Sequence, residues 1–226
     1  MENLILLHGA LGGADQLLPL KEKLNSQFNI HILEFDGHGK KSDHATKYSL
    51  DGFVIQLDTL IHEIGEDVHI FGYSMGGFVA MISASRGNEN IKSITTLGTK
   101  MRWSPEIASS EVRHLDADKI KEKVPKFFEA LQYRHGDHWI EVLDRTANFM
   151  KSLGEKNPMK EAASKVKCPV QLVLADQDQM VSKEETEDVN NWIPHSQFQT
   201  LSNSHHPIEK VNLSALQDYI ISFIRS

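Results

Sequence analysis

The sequence is poor in cysteine, and Cys168 is the only one among its 226 residues. A single cysteine excludes an internal disulfide, and sparse thiols are typical of proteins that work in a reducing cytoplasm. Cys168 stands before Pro169 at the beginning of an apolar run, where we interpret it as a packed thiol rather than a reactive one. We therefore expect a cytoplasmic protein without disulfides.

Long apolar runs and an excess of basic residues are missing as well. No stretch approaches the roughly 20 apolar residues of a membrane span. The N-terminal "MENLILLHGA" has neither the basic residues nor the cleavage site of a signal peptide. The net charge is −7, whereas nucleic-acid-binding domains are commonly basic. We expect no membrane span and no nucleic-acid partner, and the sequence leaves the oligomeric state open.

Along the sequence, short β-type runs alternate with amphipathic helical patterns. Candidate strands are residues 4–7, 30–35, 68–72, 91–98, 170–175 and 198–201. Candidate helices lie near residues 17–27, 50–64, 78–86, 183–192 and 208–224. Near-continuous apolar strands separated by helices indicate a mostly parallel sheet that is covered on both faces. The predicted fold class is therefore α/β, with a doubly wound sheet.

One long segment interrupts this alternation. Residues 101–165 contain helical patterns and no convincing strand, and they are punctuated by Gly136 and by "GEKNP" at 154–158. We interpret 101–165 as a helical cap, or lid, inserted into an α/β core made of residues 1–100 and 166–226. Such a cap would lie above the carboxyl edge of the sheet, where open α/β sheets bind ligands.

The sequence "GYSMGG" at 72–77 follows a candidate strand and precedes a candidate helix. It matches G-x-S-x-G, a pattern that holds a nucleophilic serine on a sharp strand-to-helix turn. Such a turn forces Ser74 toward an unfavourable backbone region, so Gly72 and Gly76 must lack side chains. The helix N-terminus behind the serine would favour developing negative charge.

A second glycine-rich stretch, "HGALGG" at 8–13, follows the first candidate strand. It does not fit the spacing of a dinucleotide-binding loop, and no phosphate-binding lysine follows it. Together with "GYSMGG" it resembles the α/β-hydrolase family, and the resemblance covers nearly the whole chain. The resemblance implies that Ser74 is the nucleophile and that the backbone N–H groups of Ala10 and Met75 form an oxyanion hole.

The family carries an acid just after a late strand, and "DQDQM" at 176–180 occupies that place. The family pattern maps Ala175 onto its small residue and Asp178 onto the acid, with Asp176 as the alternative. The resemblance implies that this acid accepts a hydrogen bond from the catalytic histidine and fixes its tautomer. Either aspartate could instead be a turn former.

The family's histidine lies after the last strand, where this sequence has "SNSHHPIEKV". The doubled histidine departs from the usual glycine–histidine pair. We choose His206 over His205 because His206 precedes Pro207, which suits the first residue of a final helix. The chain order Ser74, Asp178, His206 is that of the family.

Two other departures from the family pattern are visible. In "EFDGHGKKS" at 34–42, Glu34 stands where the family usually has aspartate, and Ser42 comes one residue late, which suggests an altered pocket rim. The chain also begins with the "HG" strand, without the two strands that often precede it. We therefore expect a reduced sheet of about six parallel strands, without an antiparallel edge.

The large apolar residues of the cap are candidates for a substrate pocket or for packing within the cap. They are Met101, Trp103, Phe127, Phe128, Tyr133, Trp139, Phe149 and Met150. Trp103 is the best pocket candidate because it comes soon after a core strand. His135 and His138 could suggest a metal pair, but no second cluster completes a site, so we expect solvated loop residues instead.

The resemblance implies a carboxylesterase-like serine hydrolase that cleaves a small-molecule ester or related acyl substrate through an acyl-enzyme, with no metal or organic cofactor. Two alternatives remain. The same triad serves the small lyases of menaquinone synthesis and the carbon–carbon bond hydrolases of ring degradation, which would be expected to show arginines near the pocket. A non-catalytic ligand-binding relative is the other alternative, and an intact triad argues against it.

Overall fold

One six-stranded sheet forms the centre of the protein, which is seen in a computed structural model that describes residues 1–226. The strands are β1 (Asn3–Leu7), β2 (Asn29–Leu33), β3 (Val68–Tyr73), β4 (Ile91–Leu97), β5 (Val170–Gln177) and β6 (Ser196–His205). Their order across the sheet is β2-β1-β3-β4-β5-β6, and each neighbouring pair is parallel. The predicted α/β class and the reduced parallel sheet are confirmed.

Helices cover the sheet and fill the connection between β4 and β5. They are α1 (Leu18–Leu24), α2 (Leu50–Ile64), α3 (Met75–Ser85), α4 (Pro105–Val112), α5 (Ala117–Lys123), α6 (Pro125–His135), α7 (Trp139–Glu155), α8 (Met159–Ala163), α9 (Lys183–Asn190) and α10 (Leu213–Ile224). None of them combines the length and the apolar character needed to cross a bilayer.

Strand β1 is an almost continuous apolar run because it lies inside the sheet and all five of its residues are buried. Successive side chains of a strand point to opposite faces. Leu4 and Leu6 accordingly pack in the cluster that contains α1 and α10, whereas Ile5 and Leu7 pack in the larger cluster with α2 and α3. Since every strand is parallel to its neighbours, all the carboxyl ends meet at one edge.

The connection between β4 and β5 contains the five helices α4 to α8 and no strand. Part of it has an apolar cluster of its own, made of Ile120, Leu131, Trp139, Val142 and Leu143 together with Leu11 from the first loop of the sheet. This segment therefore packs on the carboxyl edge at the loop that follows β1. Its treatment as a separate cap stays a prediction.

Several predicted element bounds differ from those in the structure. Helix α10 does not begin near Pro207, because a short 3₁₀ turn (Ile208–Lys210) comes first and Asn212 caps the helix by accepting from the Ala215 N–H at 3.2 Å. Strand β6 is longer than predicted and ends at His205. Helix α1 begins at Leu18, after another 3₁₀ turn.

Three histidines lie buried where the helical connection meets the sheet. His8, His38 and His135 are at most 2% exposed, so the expectation that His135 is a solvated loop residue was wrong. His135 accepts from the Gly39 N–H at 3.0 Å and donates through Nε2 to the Leu11 carbonyl at 3.0 Å. It thereby joins α6 to the two loops at the carboxyl edge.

Burial sets the protonation state of these rings. Desolvation lowers the pKa of His8 and of His135 to about 4, and it lowers the pKa of His38 well below its ordinary value. The Nδ1–H of His8 donates to the Gly9 carbonyl at 2.8 Å, while its Nε2 accepts from the Phe35 N–H at 3.1 Å. Each ring is therefore neutral in the folded protein near pH 7.

We expect the free energy of unfolding to fall as the pH falls from about 6.5 toward 4. The unfolded chain binds a proton at each ring below its ordinary pKa of about 6.5, while the folded chain does not until the pH nears the lowered value. Each ring whose pKa is lowered to about 4 contributes roughly 3 kcal/mol to this loss.

Urea unfolding at pH 8, 7, 6 and 5 measures this dependence, and His38→Phe supplies the comparison. Phenylalanine keeps an aromatic ring where His38 stacks on Tyr48, with centroids 4.6 Å apart, but it cannot titrate. The variant should show a shallower pH dependence than the wild type by about one proton. Equal stability of the wild type at pH 7 and 5 would contradict buried neutral rings.

Candidate active site

Ser74 sits on a strained turn between β3 and α3. Its backbone angles are φ 50° and ψ −113°, a region that non-glycine residues rarely enter and that costs about 1–3 kcal/mol. The Ser74 N–H donates to the Leu97 carbonyl at 2.8 Å, and its carbonyl accepts from the Thr99 hydroxyl at 3.0 Å. The residues at the end of β4 and just after it therefore bind both polar backbone atoms of Ser74 and hold the turn in place.

The glycines around Ser74 are required by close backbone approach. A Cβ on Gly72 would lie 2.4 Å from the Gly77 nitrogen, and one on Gly76 would lie 2.6 Å from the Leu7 carbonyl oxygen. Both separations are far shorter than any normal contact, so no side chain fits at these positions. The turn brings β1, β3 and the first residues of α3 together beneath the serine.

Ala10 and Met75 lie beside Ser74 in the wall of one cavity. The Ala10 N–H makes no hydrogen bond within the protein. Met75 is the first residue of α3, and a helix leaves its first N–H groups without an intrahelical acceptor. Both backbone donors are therefore suited to an anionic oxygen.

His206 and Asp178 form the one histidine–aspartate pair at this edge of the sheet that is shielded from water. Nδ1 of His206 donates to Oδ2 of Asp178 at 2.8 Å, and their side chains are 10% and 1% exposed. The other carboxylate oxygen accepts from the N–H groups of Met180 and Val181 at 2.8 and 2.9 Å. His206 and Ser74 line the same cavity. Because Nδ1 is bonded to the aspartate, Nε2 is the ring nitrogen that remains available to a group in this cavity.

Ser74 and His206 share this cavity without a hydrogen bond between their side chains. The hydroxyl of Ser74 makes no hydrogen bond of its own in the structure. Catalytic hydrogen bonds are often long before a substrate binds and tighten in the complex. The arrangement therefore leaves the serine hydroxyl free for a reacting group.

The two alternative residues have other positions. His205 is exposed at the end of β6. Asp176 is exposed too, and its carboxylate accepts from the N–H groups of Asn203 and Ser204 at 3.0 and 2.9 Å, which lowers its pKa. Asp176 thus stabilises an irregular pairing between β5 and β6 and does not touch His206.

The cavity has a volume of about 50 Å³ and a mostly apolar wall. A single water needs about 10–15 Å³ by the same measure, so the space holds about three to five groups of that size. Of the apolar cap candidates, Trp103, Phe149 and Met150 line it. The others pack in the core or in the cluster of the helical connection, except Tyr133, which is exposed.

Three further polar side chains line the cavity, and none was predicted from the sequence. They are Lys100, Glu111 and Thr146. Lys100 could have been suspected from its place just after β4, but nothing in the pattern of the helical connection distinguishes Glu111 from its solvated neighbours. The fold alone brings these three side chains together.

The loop that carries Ala10 is held from two directions. Leu11 has a positive φ of 59°, and its carbonyl accepts from Nη1 of Arg134 at 3.2 Å as well as from His135. Glu34, the residue that departs from the family pattern, accepts from the N–H groups of Ala14 and Lys40 at 2.8 and 3.1 Å. Both contacts hold the first loop against its neighbours.

No group of three or more histidine, cysteine, aspartate or glutamate side chains is arranged to hold a metal ion. Cys168 is half-buried, and burial raises the pKa of its thiol to about 11.

Comparisons with known proteins agree with this architecture. Residues 2–142 match the family model described as alpha/beta hydrolase fold. Lipase 3 of Moraxella sp. (strain TA144) is 24% identical over 96% of this chain and 76% of its own length. A 2-succinyl-6-hydroxy-2,4-cyclohexadiene-1-carboxylate synthase of Photorhabdus laumondii is 34% identical, over 38% of this chain and 30% of its own.

Solved structures share the fold over the full chain. A thermophilic esterase from Thermogutta terrifontis superposes with a TM-score of 0.80 at 18% identity, covering 100% of this chain and 90% of the other. At such identity the likeness concerns the fold.

We expect Gly98→Ala to disturb the histidine–aspartate pair, while Gly87→Ala does not. Both glycines have positive φ, at 56° and 88°, so both alanines strain the backbone by roughly 1 kcal/mol. Only at Gly98 would the new Cβ contact the pair, 3.1 Å from both Asp178 Oδ2 and His206 Nδ1; at Gly87 it meets nothing within 4 Å.

Proton NMR of the hydrogen-bonded Nδ1–H of His206, together with urea unfolding, checks this expectation. Gly98→Ala should shift or abolish the resonance, and both variants should lose similar stability. An unchanged resonance in Gly98→Ala would contradict the packing described here.

Proposed function

The chain belongs to the alpha/beta hydrolase fold family, and on that premise we propose that it is a serine hydrolase that cleaves carboxylic esters. The observation that carries the proposal is the set of three side chains at the carboxyl edge: Ser74 on its strained turn, and His206 bonded to the buried Asp178 at 2.8 Å. Ser74 and His206 line one cavity with Ala10 and Met75.

Each group has one task in the proposed reaction. Nε2 of His206 takes the hydroxyl proton as Ser74 Oγ attacks the carbonyl carbon, and Asp178 stabilises the imidazolium that forms. The N–H groups of Ala10 and Met75 hold the oxyanion; losing one such donor typically costs about 3–4 kcal/mol. His206 then protonates the leaving alcohol, and water hydrolyses the acyl-enzyme with the same histidine as base.

The placement of the arginines favours an ester over the anionic substrates of the lyase alternative. None of them lines the cavity. Their partners lie elsewhere: Arg86 binds Asp51, Arg102 binds Asp188, Arg113 binds Ser110, Arg134 binds Asp15 and Arg145 binds the Ser42 carbonyl. The only cation in the wall is Lys100, which lies 3.6 Å from each of two glutamates.

We also propose that residues 101–165 act as a cap over a core made of residues 1–100 and 166–226. Trp103, Phe149, Met150 and Leu153 from this segment line the same cavity as Ser74 and His206. The cap would then supply the part of the wall that selects the substrate, and the core would supply the reacting groups.

Steady-state hydrolysis of p-nitrophenyl butyrate tests the assignment of roles. Ser74→Ala and His206→Ala should each lower kcat by about 10³-fold or more, because the triad acts as a unit. Asp178→Asn should lower kcat by a similar order through loss of the correct tautomer. His205→Ala and Asp176→Asn, the matched controls, should stay within about threefold of the wild type.

A wild type that hydrolyses no ester would contradict the proposed activity. A loss of activity in His205→Ala with full activity in His206→Ala would contradict the choice of base. Circular dichroism of each variant separates these outcomes from misfolding.

The size of the cavity predicts a preference for short acyl chains. A space of about 50 Å³ takes an acyl group of two to four carbons without movement of the cap. We expect kcat/KM for p-nitrophenyl acetate and butyrate to exceed that for the octanoate by at least tenfold. Trp103→Ala should enlarge the cavity and so reduce this ratio of kcat/KM values. Equal rates for butyrate and octanoate in the wild type would contradict the cavity as the acyl site.

A further inference from the structure

The first loop of the sheet makes a tight turn that a leucine does not favour. The Gly12 N–H donates to the Gly9 carbonyl at 3.1 Å, so Ala10 and Leu11 are the two central residues of a β-turn. The φ of Leu11 is 59°, whereas the φ of Ala10 is not positive. This combination belongs to the type II turn, in which glycine is the usual second central residue. A leucine at that position is strained and needs support from its surroundings.

Two neighbouring side chains at the end of α6 supply that support. Nη1 of Arg134 donates to the Leu11 carbonyl at 3.2 Å, and Nε2 of His135 donates to the same oxygen at 3.0 Å. The proton of His135 is on Nε2 because its Nδ1 accepts from the Gly39 N–H at 3.0 Å. The Leu11 side chain packs in the apolar cluster that contains Leu131 of the same helix. The backbone and the side chain of Leu11 are therefore both anchored in the segment between β4 and β5.

Arg134 is oriented by acidic partners. Its guanidinium binds both carboxylate oxygens of Asp15, through Nε at 2.9 and 3.1 Å and through Nη2 at 3.0 Å, and its side chain is 7% exposed. Nη2 also lies 3.5 Å from Glu209, in the turn that follows His206. A bidentate arginine–carboxylate pair fixes the direction of the remaining N–H donors. Arg134 thus connects α6, the first loop and the turn after His206.

These contacts bear on the reaction because Ala10 is the other central residue of the turn. Ala10 lines the cavity with Ser74, and its N–H makes no hydrogen bond within the protein. Without its support Leu11 would relax toward negative φ, which turns over the peptide bond that joins it to Ala10. The backbone of Ala10 would then shift relative to Ser74. Oxyanion donors act because they are aimed in advance, and a misplacement of about 1 Å can cost 10²-fold in rate.

We propose that Arg134 and His135 are positioning residues for the oxyanion hole: they hold Leu11 at positive φ and thereby keep the Ala10 N–H aimed at the developing oxyanion. This inference rests on the proposed ester hydrolysis and adds two residues to it. Neither side chain lines the cavity, so neither touches the substrate. The segment between β4 and β5 then contributes to the rate of the bond-breaking step as well as to the wall of the cavity.

Hydrolysis of p-nitrophenyl butyrate by substituted proteins tests this role. Arg134→Met keeps the apolar stem and removes the donors, and His135→Leu removes both ring nitrogens. Each should lower kcat by about tenfold, and the double variant by about 10²-fold, the scale of losing one oxyanion donor. KM should stay within about threefold, because the lost interaction acts in the transition state. His135→Gln, whose amide can donate to Leu11 and accept from Gly39, should keep kcat within about threefold of the wild type.

Arg145→Met is the matched control. Arg145 lies on α7 and also donates to backbone carbonyls of a loop, those of Ser42 and Ala45, but not to the first loop. This variant should lose stability in urea as Arg134→Met does, yet keep kcat within about threefold. A trifluoromethyl ketone, which forms a tetrahedral oxyanion adduct with a reactive serine, supplies a second measurement. Its Ki should rise by the factor by which kcat falls in the Arg134 and His135 variants.

An unchanged kcat in the double variant, an equal fall of kcat in Arg145→Met, or a loss confined to KM would overturn the positioning role. A wild type that hydrolyses no ester would overturn the proposed function instead, and hydrogen exchange then tests the turn by itself. The Gly12 N–H should exchange about tenfold faster in Arg134→Met, while the Gly37 N–H, bonded to the Lys41 carbonyl at 2.8 Å, should keep its rate. An unchanged Gly12 rate would overturn the proposal with or without hydrolysis.

Discussion

Ser74 occupies a backbone conformation that a serine avoids, and the surrounding fold keeps it there. The strain of about 1–3 kcal/mol is offset by two hydrogen bonds to the backbone of Ser74. The Leu97 carbonyl accepts from its N–H, and the Thr99 hydroxyl donates to its carbonyl. Gly72 and Gly76 let three chain segments approach each other beneath the turn. The position of the serine above α3 and next to the first loop, and with it the whole site, depends on this packing.

Much of the fold and of the central site could be predicted because local sequence encodes them. Apolar strands that alternate with amphipathic helices predict a parallel sheet. The glycines beside Ser74 indicate a tight turn in which no residue with a side chain would fit. Asp178 and His206 were chosen over Asp176 and His205 by their order along the chain and by resemblance to a family. The structure places them 2.8 Å apart, while Asp176 and His205 are exposed and take no part in that contact.

The rest could not be predicted because it arises between segments distant in sequence. His135 looks like an exposed loop residue in "RHGDHW", yet packing against the loops at Leu11 and Gly39 buries it. Pro207 looks like a helix start, but Asn212 offers the better cap, so the helix begins later. Lys100, Glu111 and Thr146 come from three separate elements, and their meeting in one cavity depends on how α4 and α7 pack.

The central claim is that Ser74 is the one activated nucleophile of the chain. Intact-mass spectrometry after treatment with a fluorophosphonate tests it most directly, because such reagents react covalently with serines activated by a neighbouring base. We expect one adduct per chain, located on the peptide that contains Ser74, absent from Ser74→Ala and retained in Ser85→Ala. An unlabelled wild type, or an adduct that persists in Ser74→Ala, would contradict it.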